Sequence, residues 1–124
     1  MRVVITGGAG FLGRRLAHAI LERGHLTDGA GTEREVREIV LADVADAAGF
    51  ADPRVRSLAG DIADPALVAA AIGGDTDSVF HLAAVVSGEA EANFDLGWRV
   101  NFDATRHLLE CCRALPHPPK MVFT

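Results

Sequence analysis

Thr6-Gly7-Gly8-Ala9-Gly10-Phe11-Leu12-Gly13 is the stretch that decides the fold. Before it stand the β-branched residues Val3-Val4-Ile5, so Arg2 to Thr6 reads as a strand. After it, Phe11, Leu12, Leu16, Ala17, Ile20 and Leu21 recur with helical period, and Gly24 follows Arg23 as a helix-ending glycine. Gly7, Gly10 and Gly13 therefore sit where a strand turns into a helix. Gly7 allows the tight turn, Gly10 lets a diphosphate approach the backbone, and Gly13 lets the helix pack closely. The helix start aims free N–H groups and partial positive charge at such a ligand. No lysine follows Gly13, which excludes the loop that cradles nucleoside triphosphates. The frame reads as a dinucleotide cradle; a glycine turn with a purely structural role is the alternative.

Working outward, short apolar runs alternate with helical stretches. Leu26 to Arg34 is polar and holds Gly29 and Gly31, so it reads as loop. Ile39-Val40-Leu41-Ala42 is a second strand ending at Asp43, and Ala45 to Phe50 reads as a short helical turn. Val55 to Ala59 is a third strand. Asp64 and Pro65 open a helix that runs to about Ile72. Gly73-Gly74-Asp75 is a turn, and Ser78 to Leu82 a fourth strand. Glu89 to Leu115 is mostly helical with a break expected near Gly97, and Trp98 is expected in the core. Pro116 to Pro119 forces extended backbone before a fifth strand, Lys120 to Thr124.

Apolar strands alternating with helices predict an α/β fold: a doubly wound, Rossmann-type parallel sheet with helices on both faces. The chain has 124 residues, the size of one domain. Its fifth strand is the last element, so we expect residues 1–124 to be the N-terminal, nucleotide-binding part of a longer protein, cut after the fifth strand, with a substrate domain elsewhere.

Composition narrows the functions. A net charge of −5 argues against nucleic-acid or anionic-membrane surfaces. No apolar run approaches the ~20 residues of a membrane span, and the N-terminal run is too short for a signal peptide. Cys111 and Cys112 are adjacent, a poor geometry for a disulfide, and no metal-ligand spacing surrounds them. They read as small, partly buried residues in a reducing compartment, so a cytoplasmic protein without a metal site is expected.

Asp43 closes the second strand, where a carboxylate bonds the adenosine ribose and repels a 2′-phosphate. It stands 30 positions after Gly13, more than usual, and the Gly24 to Glu38 stretch accounts for the excess. No arginine follows it directly, so NAD is preferred over NADP. The competing reading has Asp43 capping the next turn through Asp46 and Ala47.

The frame Thr6-Gly7-x-x-Gly10-Phe11-Leu12-Gly13 resembles the T-G-x-x-G-F-[IL]-G pattern of extended short-chain dehydrogenase/reductases, the NAD-dependent epimerase/dehydratase group. Two further blocks carry the likeness. His81-Leu82-Ala83-Ala84 resembles H-x-A-A, and Asn101 to Glu110 resembles N-[VL]-x-G-T-x-x-L-L-E, with Ala104 in place of glycine. The resemblance spans the whole chain and implies an NAD-dependent oxidoreductase. It implies that Asp61 meets the adenine amino group with Ile62 against the ring. It implies that Ala83 and Ala84 receive the ribose and nicotinamide half, and that Asn101 organises the site. His81 is expected in a structural role. The segment Phe80 to Glu110 resembles members acting on small sugar acids, which places Ser87 beside the substrate, with Glu89 and Trp98 as weaker candidates. The partner is then a small sugar acid, and a homodimer is expected for the whole protein. The alternatives are a nucleotide-sugar epimerase or dehydratase, and a non-catalytic NAD-binding sensor.

The resemblance also exposes a gap. The family removes the hydroxyl proton with a tyrosinate whose pKa a nearby lysine lowers, in a Y-x-x-x-K pair. This chain contains no tyrosine, and Lys120 precedes the fifth strand. No catalytic residue is therefore assigned within it; the Tyr, Lys and Ser/Thr are expected downstream of Thr124.

Overall fold

A computed structural model describes residues 1–124. Strand β1 (Arg2–Thr6) leads into helix α1 (Phe11–Arg23). A hairpin of β2 (His25–Thr27) and β3 (Glu33–Glu35) follows, then β4 (Glu38–Asp43), β5 (Val55–Ala59) and α2 (Pro65–Ala71). Next come β6 (Thr76–His81), α3 (Ser87–Ala92) and α4 (Phe94–Gly97). A π-helical segment (Trp98–Asp103), α5 (Ala104–Ala114) and β7 (Lys120–Phe123) complete the chain.

The five main strands run in the order β5-β4-β1-β6-β7, every neighbouring pair parallel. Parallel strands need crossovers, and successive residues point to opposite faces. Val3, Ile5, Ile39 and Leu41 face α1 and its Ala17 and Ile20. Val4, Val40 and Val79 face the other layer, with Val68 of α2 and Leu108 of α5. Each such fully buried aliphatic side chain contributes about 1.5–3 kcal/mol. The doubly wound α/β architecture read from the sequence is therefore the one observed. The strand order reverses at β1, so a crevice opens at the carboxyl ends of β1 and β6.

Local signals held where their chemistry was specific. Gly24 ends α1 at φ 73°, and its N–H bonds the Ile20 carbonyl. The Asp64 carboxylate caps α2 by accepting from the Ala66 amide at 2.9 Å, with Pro65 in the first turn. Cys112 is buried, which pushes its thiol up to about 11.

Four readings are corrected. Leu26 to Arg34 is not all loop: His25, Leu26 and Thr27 pair with Glu35, Arg34 and Glu33. The Asp28 carboxylate organises the turn, accepting from the amides of Ala30 and Thr32, both at 2.9 Å. Ala45 to Phe50 forms no helix; Ala47 is buried and its amide bonds Ser57 Oγ at 2.9 Å, which replaces a helical bond. The long helical stretch breaks at Asn93 (φ −138°), whose side chain caps α4, rather than at Gly97. Gly97 is helical, and it is glycine because a Cβ there would lie 2.7 Å from that of Ala90. Trp98 is 52% exposed rather than core, stacked on Phe94 and tilted against Phe102 along one helical face.

Candidate functional site

A cleft of about 590 Å³ lies at the carboxyl ends of β1, β4, β5 and β6. Its floor is the glycine turn. Gly7 takes φ +69°, and a Cβ there would sit 2.9 Å from the Ala83 amide nitrogen, so the turn abuts the end of β6. A Cβ on Gly13 would lie 2.3 Å from the Gly7 carbonyl oxygen. The first turn of α1 therefore rests directly on the glycine turn, closer than the helix-to-sheet packing expected from sequence. Gly8 escaped the reading, yet a Cβ there would lie 2.7 Å from Leu41 Cβ; the Gly7-Gly8 pair was its only signal. Gly10 differs from these. A Cβ there would meet a single atom, the Gly7 oxygen at 3.2 Å, and its open side faces the cleft.

Gly10 is the N-cap of α1 and offers no side chain to its amides. The N–H groups of Phe11, Leu12 and Gly13 are those a helix leaves without internal acceptors. They line the cleft and present donors and positive helix-end potential to it. The residues present thus fit a diphosphate: an open glycine, free first-turn amides and no competing carboxylate in that turn.

Asp43 lines the cleft at the end of β4. One carboxylate oxygen accepts from the Ala9 amide at 3.0 Å, the other from the Ala45 amide at 3.3 Å. The carboxylate thus joins the glycine turn to the strand end, and Asp46 and Ala47 are not its partners. Asp61 lies on the next strand end. Its carboxylate accepts from the Ala63 amide at 2.9 Å and from the Arg99 guanidinium at 2.6 Å. These bonds, the Ala63 amide first, hold its pKa below the usual carboxylate range. Arg99 reaches across from the π-helical segment and was not singled out in the sequence, where nothing marks a lone exposed arginine. Ile62 is buried beside Asp61, and Ala83 and Ala84 form the opposite wall.

Asn101 stands behind that wall. Its side chain accepts from the Val85 amide at 2.8 Å and donates to the Val85 carbonyl at 2.9 Å, a two-point clamp on the backbone. Ser87 is exposed at the start of α3 and does not line the cleft, whereas Glu89 does. His81 is buried, held by Thr6 and Thr105.

A second cleft, about 680 Å³, lies at the amino ends of the strands. Two of its arginines are committed to the fold: Arg2 pairs with Glu38 at 2.8 Å and Arg34 with Asp77 at 2.7 Å.

Strand order and glycine turn define a Rossmann-type α/β domain of the extended short-chain dehydrogenase kind. Residues 3–124 match the model of the NAD dependent epimerase/dehydratase family, and the chain belongs to that family. It is 55% identical to a D-erythronate dehydrogenase of Cupriavidus necator, over all of this chain and 38% of that protein. It is 42% identical to a D-erythronate dehydrogenase of Haemophilus influenzae, over 99% of this chain and 36% of that one. The structure matches a nucleoside-diphosphate-sugar epimerase from Agrobacterium tumefaciens with TM-score 0.85 and 35% identity, covering 99% of this chain and 36% of that one. The chain thus spans little more than a third of the length of these two curated relatives. No helix is long and apolar enough to cross a membrane.

Proposed function

We propose that these residues bind NAD for a dehydrogenase that oxidises a secondary hydroxyl of a small sugar acid, D-erythronate first among them. The observation carrying the cofactor reading is the open side of Gly10 beside the free first-turn amides of α1, with Asp43 at the neighbouring strand end. In this reading Phe11, Leu12 and Gly13 donate to the diphosphate, and Gly7 and Gly10 admit it. Asp43 accepts from the adenosine ribose, while Asp61 and Ile62 meet the adenine. Ala83 and Ala84 receive the nicotinamide half, and Asn101 holds their wall through Val85. NAD held there would supply the hydride acceptor, and this chain's residues would bind and orient it. Ser87 remains a proposed substrate contact reached from the mouth of the cleft.

The substrate reading is supported by the identity to two D-erythronate dehydrogenases. Its test is NADH formation from D-erythronate by the protein expressed from its whole coding sequence. Turnover supports it; no turnover, with interconversion of a nucleotide-linked sugar instead, supports the second reading. That second reading, an epimerase, is favoured by the fit to the Agrobacterium structure. The exposed row Phe94, Trp98 and Phe102 supports a covered face and hence a homodimer. The free thiols of Cys111 and Cys112 are consistent with the cytoplasm.

A further inference from the structure

The nucleotide reading leaves one buried polar group without a task. His81, at the end of β6, is 1% exposed, and its two ring nitrogens face two hydroxyls. Nδ1 lies 2.6 Å from Thr6 Oγ1, and Nε2 lies 2.8 Å from Thr105 Oγ1.

Proton counting fixes its state. A hydroxyl has one proton and two lone pairs. Thr6 Oγ1 accepts from the amides of Leu82 and Ala83, both at 3.2 Å. Its lone pairs are taken, so its proton points to the imidazole and Nδ1 accepts. At the other side the Thr105 hydroxyl donates to the Asn101 carbonyl at 2.9 Å. Its oxygen is left to accept, so Nε2 carries the proton. The Thr105 end places a proton on Nε2 and the Thr6 end leaves Nδ1 without one; together they give a neutral imidazole protonated on Nε2.

We propose that His81 is a positioning residue for the nucleotide site, its neutral Nε2–H form setting the backbone of the Ala83–Val85 wall. This rests on the nucleotide-binding reading. The hydrogen bonds run from Thr6 through His81 and Thr105 to Asn101, whose side chain clamps Val85. They begin and end on the same wall, because Thr6 also holds the Leu82 and Ala83 amides. Ala83 and Ala84 carry only methyl groups, so the backbone position is the shape of the wall. A proton on Nδ1 would compete for the oxygen that holds Ala83, and the Leu82 amide alone has a second acceptor, the Thr6 carbonyl.

The test joins spectroscopy to binding. Nitrogen-15 NMR of the wild-type imidazole at neutral pH is expected to show His81 protonated on Nε2 only. Protonation on Nδ1, or an imidazolium, overturns the proposal. Thr105→Val removes the hydroxyl at nearly constant volume. It is expected to weaken NAD binding about tenfold, the upper worth of one hydrogen bond, and Thr105→Ser is expected to restore it. NAD affinity unchanged in Thr105→Val overturns the proposal while leaving the nucleotide reading intact. No saturable NAD binding by the wild type overturns both. The tautomer is read on the wild type, so it still decides the matter if the valine variant fails to fold.

Discussion

The carboxylate of Asp43 accepts the Ala9 amide at 3.0 Å, tying the end of β4 to the glycine turn that leaves β1. One side chain thus holds the cradle and stands where the adenosine ribose is proposed to lie. Asp43→Ser is expected to weaken NAD binding about tenfold or more, the usual worth of a charged hydrogen bond. It is also expected to narrow the preference for NAD over NADP, since the charge that repels a 2′-phosphate is gone. Titration with both cofactors checks this. Unchanged affinities for both would remove Asp43 from the site.

The glycines separate folding from binding. Gly13→Ala forces a Cβ to 2.3 Å from the Gly7 oxygen, backbone against backbone. Its cost should be at least the ~1–3 kcal/mol of an overpacked interior, seen as a lower melting temperature. Gly10→Ala meets only one atom at 3.2 Å, so a small shift accommodates it. It is expected to melt within a few degrees of the wild type yet bind NAD at least about tenfold more weakly, because its methyl enters the proposed diphosphate space. Equal losses of stability in the two variants would count against this division.

Burial pushes the His81 imidazole below its ordinary range. The unfolded chain protonates this group near pH 6.5, the folded chain only at lower pH. Its contribution to stability is therefore complete above about pH 6.5 and is lost as the pH falls from there through the folded value. Denaturation between about pH 7 and pH 5 is expected to show stability falling with acid, and His81→Gln to flatten that slope whatever its absolute stability. Equal slopes would contradict the burial of a neutral imidazole.

Much of this architecture was readable because its signals are stereochemical. Gly24 and the Asp64-Pro65 pair mark helix ends by backbone needs that few residues meet. Apolar β-branched runs have one reading when both faces are covered. The hairpin of β2 and β3 escaped because its three-residue strands are polar and show no buried face. Trp98 was misplaced because aromatic spacing along a helix does not say which face the rest of the protein covers. In the site, the glycine frame and strand-end carboxylates were legible, being tied to element boundaries. The Arg99–Asp61 pair and the Thr6–His81–Thr105 chain were not, since they join residues 38, 75 and 24 positions apart.

The 124 residues hold no tyrosine to serve as the general base. This chain by itself is expected to produce no NADH from D-erythronate and NAD, even at saturating cofactor. Measurable turnover in a spectrophotometric assay would show that another group here takes the hydroxyl proton.

The central claim is that the cleft above the glycine turn binds NAD. Its most direct measurement is an amide NMR titration of this chain with NAD. The expected result is saturable shifts concentrated at Gly7 to Gly13, Asp43, Asp61, Ile62, Ala83 and Ala84. No saturable change, or shifts centred on Arg34 and Lys120 at the opposite end of the sheet, would contradict it.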